Sequence, residues 1–315
     1  MTRLTSLPTT TGRALLAGIA VLSALPSQAA ELGAADETIQ MAMLEWTGNN
    51  ISTQIAGRIL EKAGYKVEYV TAGNFPQFSG LSDGTLDASV EIWMMNVGDV
   101  YPKALESGLI ENIGTLGLRS REGWIYTKAT AEACPGLPDW HALMEPACVA
   151  ALATPDTLPN GRFLDYPADW GARSANMLAD NAMPYTAIPA GSEGAMVAEL
   201  RAAAAGNTPL LMTFWEPHFV LADVEVGWVD MPPCDQANLE RCIVPPPVDK
   251  VVWAGMKDKW PAAYGILTDF RMDTDQQQQM MLAVSEKGES LQAVADKWIA
   301  ENEAVWRPWV DANVK

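Results

Sequence analysis

Strand-type and helix-type patterns alternate along most of this chain, and this alternation limits its possible folds more than any other feature. Residues 38–44 are apolar and β-prone, and residues 51–60 carry apolar side chains at helical spacing until Gly64 stops the pattern. Residues 66–71 are again typical of a strand. Strands that alternate with helices predict α/β layers with largely parallel strands.

The alternation continues through the middle of the chain, with Ser192 as the expected N-cap of one helix. After a proline-rich segment at 245–247 the pattern is mostly helical, and no internal repeat is present. If two lobes form, their connections are themselves strands, and the chain must cross between the lobes more than once. The pattern predicts further strands at 86–94, 118–127, 185–188 and 208–214, and helices near Phe78 and at 97–107, 171–179, 192–206, 276–287 and 290–304.

The first residues have the composition of a secretory signal. Arg3 and Arg13 give a positive start, residues 14–25 are apolar, and Ser27-Gln28-Ala29 is a small-residue cleavage site. We expect residues 1–29 to be removed near Ala29/Ala30. No cysteine lies in residues 1–30, so we expect no lipid anchor on the exported protein.

The charge of the chain argues against two classes of partner. Its net charge is −18, and removing the two signal arginines leaves 19 basic against 39 acidic residues, a net charge of −20. Such a surface repels nucleic acid and anionic membranes. We therefore expect a soluble, exported protein whose partner is neither of these.

Four cysteines occur as two local pairs, Cys134 with Cys148 and Cys234 with Cys242. In an exported protein two disulfides are the expected outcome, although four cysteines allow three connectivities. A zinc site is disfavoured because no CxxC pair exists and only His141 and His218 are available.

Three tryptophans share one position relative to the predicted strands. Trp46, Trp93 and Trp215 each directly follow an apolar, β-prone run. The C-terminal ends of strands in open α/β sheets form the edge where ligands bind. Trp124 follows Gly123, a residue that lets the backbone approach a ligand closely. We interpret these four residues as candidate walls of a ligand site, the tryptophan box.

Single tryptophans at strand ends commonly cap the core, but several rings at one edge with few charges beside them favour a ligand site. Ring faces hold methylated ammonium groups through cation–π attraction and apolar contact. The other tryptophans stand in helical or loop contexts and are interpreted as packing residues: Trp140, Trp170, Trp228, Trp253, Trp260, Trp298, Trp306 and Trp309.

The chain resembles the substrate-binding proteins of ABC importers for glycine betaine, choline and trimethylamine N-oxide. The resemblance covers nearly the whole mature chain, and its most specific segment is Trp-Glu-Pro-His at 215–218. The matching stretches are 44–47 (LEWT), 90–93 (VEIW), 191–196 (GSEGAM) and 214–218 (FWEPH).

The resemblance implies a type II periplasmic-binding-protein fold, with two discontinuous lobes joined by a hinge that Pro217 stiffens. It implies a large lobe from 30–119 and 219–315, and a small lobe from 120–218. Trp46, Trp93 and Trp215 are then box residues, and Trp124 stands where relatives place another aromatic ring. It also implies a monomeric periplasmic protein that serves a permease of the inner membrane and catalyses nothing.

The residues near the first box tryptophan differ from those of choline binders, which resemble each other in carrying an acid there. Here the series is Trp46-Thr47-Gly48. Few Arg or Lys residues stand near the box to pair with the carboxylate of betaine. We therefore rank trimethylamine N-oxide first, with glycine betaine and choline as the alternatives.

Two other classes of site were weighed. A secreted hydrolase would use His218 as a base, but the chain has no GxSxG or HExxH motif. Asp165 and Asp169 are better explained as caps of the helix near Gly171.

The segment between Cys234 and Cys242 carries several side-chain oxygens, and a structural calcium site there would use Asp235, Asn238 and Glu240. Because calcium needs more oxygens than these supply, a solvated hairpin is the favoured alternative, and no cofactor is required.

Overall fold

The computed structural model describes residues 30–238, 240–243 and 247–315. The predicted signal peptide lies outside the described residues, as does 245–246 of the proline-rich segment. No helix in the described ranges is both long and apolar enough to cross a bilayer.

Ten strands are found in the described part of the chain: β1 Thr38–Met43, β2 Lys66–Thr71, β3 Ala88–Trp93, β4 Ile110–Thr115, β5 Arg121–Tyr126, β6 Gly161–Asp165, β7 Tyr185–Pro189, β8 Leu211–Glu216, β9 Gly227–Trp228 and β10 Val248–Trp253.

Twelve α-helices are described over the same ranges: α1 Thr47–Lys62, α2 Gln77–Asp83, α3 Val100–Glu106, α4 Lys128–Ala133, α5 Pro146–Leu152, α6 Arg173–Asp180, α7 Glu193–Gly206, α8 Met256–Lys259, α9 Pro261–Asp269, α10 Thr274–Ser285, α11 Leu291–Glu301 and α12 Glu303–Asn313. Short 3-10 helices include Met94–Asn96, Ala168–Trp170 and Phe219–Ala222.

The first sheet has the strand order β2-β1-β3-β10-β4. β1 pairs in parallel with β2, from Thr38 opposite Lys66 to Met43 opposite Thr71, and also with β3. β10 inserts antiparallel between β3 and β4. The prediction of largely parallel strands therefore holds for this sheet except at β10, which the sequence pattern did not reveal.

The second sheet has the order β7-β6-β8-β5-β9. β6 runs parallel to both β7 and β8. β5 pairs antiparallel with β8, so Glu122 lies opposite Trp215 and Trp124 lies opposite Thr213. This reversed direction decides which β5 residues reach the edge of the sheet.

Apolar side chains cover both faces of the first sheet, as period-2 strands between helical layers require. Ile39 and Met41 of β1 pack in one cluster with Ile55 of α1. Ala42, one residue further along, packs with Phe78 on the opposite face. We call the first sheet with its helices the first lobe, and the second sheet with its helices the second lobe.

The chain crosses between the lobes several times, as a fold with two discontinuous lobes requires. After β8 it returns to the first lobe, where Phe219 and Val220 join the main core. It then re-enters the second sheet at β9, and Val229 and Ile243 pack within the second lobe. The segment predicted as the second part of the large lobe, 219–315, thus includes a stretch that lies with the second sheet.

Local chemistry explains several of these boundaries. Ser192 accepts a hydrogen bond from the Ala195 backbone N–H at 3.1 Å, which confirms it as the N-cap of α7. Both predicted disulfides, Cys134–Cys148 and Cys234–Cys242, are present.

Candidate functional site

A cavity that is partly open to solvent lies between the two lobes. On one side it meets the C-terminal ends of β1 and β3, and on the other the C-terminal ends of β6 and β8. We call it the aromatic cavity; its lining residues are Trp46, Asn74, Trp93, Asn96, Tyr166, Trp170 and Trp215.

The first lobe contributes two indole walls that share one acceptor. Trp46 ends the turn before α1, and its Nε1 donates to Oε1 of Glu91 at 2.8 Å. Trp93 closes β3, and its Nε1 donates to the same oxygen at 3.1 Å. Both tryptophans are about 5% exposed (4% and 5%). The shared carboxylate oxygen fixes the angle between the two rings.

Glu91 itself lies beneath the rings and is 1% exposed. Its Oε2 accepts from the Ser52 hydroxyl at 2.7 Å and from Nε2 of Gln277 at 2.8 Å. Burial raises the pKa of Glu91, and its four hydrogen bonds oppose that rise. A Cβ at Gly48 would stand 3.3 Å from Oε1 of Glu91, so glycine gives the carboxylate its room.

The second lobe contributes three further rings. Tyr166 directly follows β6, Trp170 ends the 3-10 helix after it, and Trp215 lies near the end of β8. The centroid of the Trp215 ring is 5.6 Å from that of Tyr166 and 5.7 Å from that of Trp170. Trp170 also meets Trp46 of the first lobe edge-to-face at 5.3 Å. The rings of both lobes thus form one continuous wall.

One side of the aromatic cavity is polar. Nδ2 of Asn74 donates to the backbone oxygen of Asn96 at 2.9 Å. The buried Arg173 guanidinium donates through Nη2 to both the Asn96 side-chain oxygen and Glu122. Burial raises the pKa of Glu122, and the Arg173 charge opposes that rise. Burial, with Glu122 nearby, raises the pKa of Tyr166 well above its ordinary value and keeps the phenol neutral.

A hydrogen-bonded clasp joins the lobes beside the aromatic cavity. Oε2 of Glu193, on the second lobe, accepts from the Thr47 backbone N–H at 3.0 Å and from its hydroxyl at 2.7 Å. Oε1 of Glu193 lies 3.1 Å from Nε2 of His218. Since Nδ1 of His218 accepts from the Val220 N–H, Nε2 is the nitrogen that donates to Glu193. His218 is fully buried in this hinge role, which leaves it unexposed to any hydrolase substrate.

The structure brings Trp46, Trp93 and Trp215 together around one cavity, as the sequence predicted, and their binding of a ligand stays a prediction. Trp124 does not line the cavity, which corrects the prediction for it. It is 0% exposed, its Nε1 donates to the Ser174 hydroxyl, and it packs against Phe163. Because β5 is antiparallel, Glu122 stands at the edge beside Trp215, and Trp124 lies further inside the sheet.

Four of the seven lining residues were missed by the sequence analysis: the amides Asn74 and Asn96, and the aromatic residues Tyr166 and Trp170. Trp170 was interpreted as a packing residue, and Tyr166 was not considered. Both follow β6, a strand that the sequence pattern did not reveal. The signal was present in Asp165-Tyr166-Pro167-Ala168-Asp169-Trp170, where two aromatics follow the short apolar pair Phe163-Leu164.

Of the two acidic residues in that segment, Asp165 caps the start of α6 as expected. Its carboxylate accepts from the Tyr166 backbone N–H at 2.9 Å, and it bonds with Ser174 and the backbone of Ala175 in the first turn of α6. Burial raises the pKa of Asp165 to about 6. Asp169 makes no side-chain cap bond at that helix start in the described structure.

The predicted calcium residues are distributed along the loop closed by Cys234–Cys242. Asp235 accepts from the Ala237 N–H at 3.0 Å, and Asn238 lines the same surface groove as Asp235. The side chain of Glu240 points instead toward Gly98. Over the described ranges no group of three His, Cys, Asp or Glu residues is arranged to hold a metal. A structural calcium site stays a prediction.

Comparison with solved structures identifies the same fold in other proteins. An ABC-transporter choline binding protein in complex with choline has a TM-score of 0.73 at 18% identity, covering 88% of this chain and 92% of that one. Lactococcal OpuAC, closed and complexed with glycine betaine, has a TM-score of 0.68 at 17% identity, covering 87% of this chain and 100% of that one.

Sequence comparison gives more similar relatives. The trimethylamine N-oxide-binding protein of Pelagibacter ubique (strain HTCC1062) is 29% identical over 276 residues, 84% of this chain and 88% of its own. The glycine betaine/carnitine transport binding protein of Listeria monocytogenes is 28% identical over 120 residues, 38% of each chain. The profile of one family, the substrate binding domain of ABC-type glycine betaine transport systems, matches residues 37–301. With this match over most of its length, and with the two-lobed fold and the cavity between the lobes, the chain belongs to that family of ABC-importer substrate-binding domains.

Proposed function

We propose that this protein captures trimethylamine N-oxide in the aromatic cavity for uptake by an ABC importer. The observation that carries the proposal is the composition of the cavity wall. Five aromatic rings and two amides line it, and no charged side chain stands among the described lining residues. Such a wall suits a small methylated head that is held without an ion pair.

The physical basis is the charge distribution of the ligand. In trimethylamine N-oxide the positive charge is spread over three methyl groups, which cannot donate conventional hydrogen bonds. A desolvated ring face attracts such a group by about 1–2 kcal/mol. Several rings in a preformed site support binding in the micromolar range, about −8 kcal/mol, because little is lost to ordering the site.

The alternatives fit the wall less well. The carboxylate of glycine betaine calls for a cation, and the nearby Arg173 is already paired with Glu122. The hydroxyl of choline calls for an acid beside the first tryptophan, where Thr47 is bonded to Glu193 and Gly48 has no side chain. The 29% identity to a trimethylamine N-oxide-binding protein supports the same choice.

The location and partner follow from the family. We infer that the protein acts in the periplasm after export, as a monomer, and delivers its ligand unchanged to a permease of the inner membrane. This requires the signal peptide at 1–29, so an N-terminal sequence of the exported protein that begins near Ala30 would support it.

The proposal is tested by calorimetry with trimethylamine N-oxide, choline and glycine betaine. We expect trimethylamine N-oxide to bind most tightly and to change the tryptophan fluorescence, since several indoles surround it. The ligand should be recovered intact. Tighter binding of choline or glycine betaine would overturn the choice of ligand, and chemical conversion would overturn the assignment as a binding protein.

A set of tryptophan variants tests the site itself. Trp215→Ala should nearly abolish binding, whereas Trp215→Phe should weaken it modestly because the smaller ring keeps a weaker cation–π face. Trp124→Phe is the matched control, since Trp124 is buried away from the cavity. It should lower the melting temperature and preserve affinity. A folded Trp215→Ala protein with unchanged affinity would remove this residue from the site.

A further inference from the structure

The polar side of the aromatic cavity contains a buried donor without a partner. Nη1 of Arg173 has no hydrogen-bond partner in the described structure, whereas Glu122 and Thr213 each bond with the Tyr166 hydroxyl. Tyr166, which lines the cavity, lies beside both Glu122 and Thr213. Because buried polar atoms in folded proteins nearly always have partners, this side is where a polar group of a ligand or a water is expected.

The amide of Asn96 has a defined orientation on this side. Its Oδ1 accepts from Nη2 of Arg173. A guanidinium has only donors, so the amide atom that faces Arg173 must be the oxygen. Nδ2 of Asn96 is then the atom turned away, and it has no hydrogen-bond partner among the described residues. The other lining amide is different, because Nδ2 of Asn74 already donates to the backbone of Asn96.

The contact that orients Asn96 joins the two lobes. Asn96 ends the 3-10 helix after β3 of the first lobe, whereas Arg173 begins α6 of the second. Arg173 is held in turn by Glu122, whose side chain is 0% exposed. The orientation of the donor is therefore set by a contact between the lobes.

We propose that Asn96 determines specificity by donating an Nδ2–H hydrogen bond to the oxygen of the N-oxide, with Arg173 as its positioning residue. This rests on the proposed function. The oxygen of an N-oxide carries a negative charge and needs a donor inside a ring-lined cavity. A trimethylated ammonium group without that oxygen cannot accept a hydrogen bond from this donor.

The test compares trimethylamine N-oxide with tetramethylammonium, in which a methyl group of nearly the same size replaces the oxygen. Calorimetry gives both affinities for the wild type, Asn96→Leu and the isosteric Asn96→Asp, and melting curves check the fold. We expect both variants to bind trimethylamine N-oxide about 10- to 100-fold more weakly, the range for a hydrogen bond to a charged group. Tetramethylammonium affinity should fall clearly less than trimethylamine N-oxide affinity in Asn96→Leu, which also loses the contact to Arg173 across the lobes, and stay equal or rise in Asn96→Asp, which keeps an acceptor for Arg173.

Two further variants define the roles. Arg173→Lys keeps a positive charge beside Glu122 but loses the planar guanidinium with its several N–H donors. It should therefore weaken the binding of trimethylamine N-oxide and leave the binding of tetramethylammonium unchanged. Tyr166→Phe removes the one hydroxyl among the described lining residues and should leave the ratio of the two affinities unchanged.

The outcomes separate this inference from the proposed function. If the wild type binds neither ligand, both are overturned. If the wild type binds trimethylamine N-oxide but the Asn96 variants lose the two ligands equally, or lose neither, only the role of Asn96 is overturned. A selective loss in Tyr166→Phe alone would transfer that role to Tyr166.

Discussion

At the scale of single residues, Glu91 organises the aromatic cavity without lining it. One of its oxygens accepts from both Trp46 and Trp93, and the other accepts from Ser52 and Gln277. Tryptophan rings are useful walls only when their planes face the ligand. A single buried carboxyl group thus turns two separate side chains into one surface.

We expect Glu91→Gln to weaken binding while the protein still folds. The amide oxygen can accept from both indoles, but its NH₂ group then faces Nε2 of Gln277, another donor. Loss of that pairing should reduce affinity about tenfold. Calorimetry with melting curves measures this.

Glu111→Gln is the matched control, since Glu111 accepts from the Tyr264 hydroxyl in the first lobe and does not line the cavity. It should leave affinity unchanged. Wild-type affinity in a folded Glu91→Gln protein would show that the indoles keep their orientation without the carboxylate.

Sequence analysis predicted those residues of the site that follow recognisable strands. Trp46, Trp93 and Trp215 each follow an apolar run, and the structure places them around one cavity. Tyr166 and Trp170 were not predicted as site residues because β6, which precedes them, was not recognised as a strand. It contains Gly161 and Arg162, which weaken its strand pattern. Asn96 and Arg173 could not be predicted, since their contact depends on the approach of two lobes.

At the scale of elements, strand direction decided which predictions failed. β5 was expected to present Trp124 at the ligand edge, but it runs antiparallel to β8. β10 was not predicted because Lys250 stands in its middle. The structure explains that lysine: its Nζ donates to the backbone oxygens of Leu267, Thr268 and Phe270 at 2.7–2.8 Å, at the end of α9. Only a tertiary contact makes such a residue compatible with a buried strand.

The disulfide after β9 gives a prediction at this scale. Replacing Cys234 and Cys242 with serine should lower the free energy of unfolding, because the bond closes a segment with a sequence separation of 8. Loop-closure entropy for that length gives about 2.5 kcal/mol. Affinity should hardly change, since neither cysteine lines the cavity. Denaturant titration and calorimetry check both; a large loss of affinity in a folded variant would place this loop in the binding site.

At the scale of the whole molecule, polar contacts around the rings join the two lobes, in addition to the contact of Trp46 with Trp170. The clasp from Glu193 to Thr47 is the best defined of these, because one carboxylate oxygen accepts two hydrogen bonds from the residue next to Trp46. Its other oxygen meets His218, directly after the segment that links the lobes. Because Thr47 is the neighbour of Trp46, we expect closure of the lobes and ligand binding to be coupled.

Removing the clasp should loosen closure and leave each lobe intact. We expect Glu193→Ala to release ligand about 5- to 30-fold faster, since roughly 1–2 kcal/mol of hydrogen bonding is lost from the closed form only. Stopped-flow tryptophan fluorescence measures the dissociation rate.

Glu199→Ala is the control on the same helix, because Glu199 pairs with Arg162 within the second lobe. Its dissociation rate should match that of the wild type. If Glu193→Ala also matches the wild type, the clasp does not contribute to closure.

The division of the five rings between the lobes has a consequence for transport energetics. Two rings stand on one lobe and three on the other, so parting the lobes removes a large share of the contacts in one motion. A transporter that binds the form with separated lobes lowers the affinity of the protein for its ligand. Because such coupling is reciprocal, the ligand lowers the affinity for the transporter by the same factor. The importer thus needs no group that competes for the ligand. We therefore expect separation of the lobes by the permease to be enough to release the ligand.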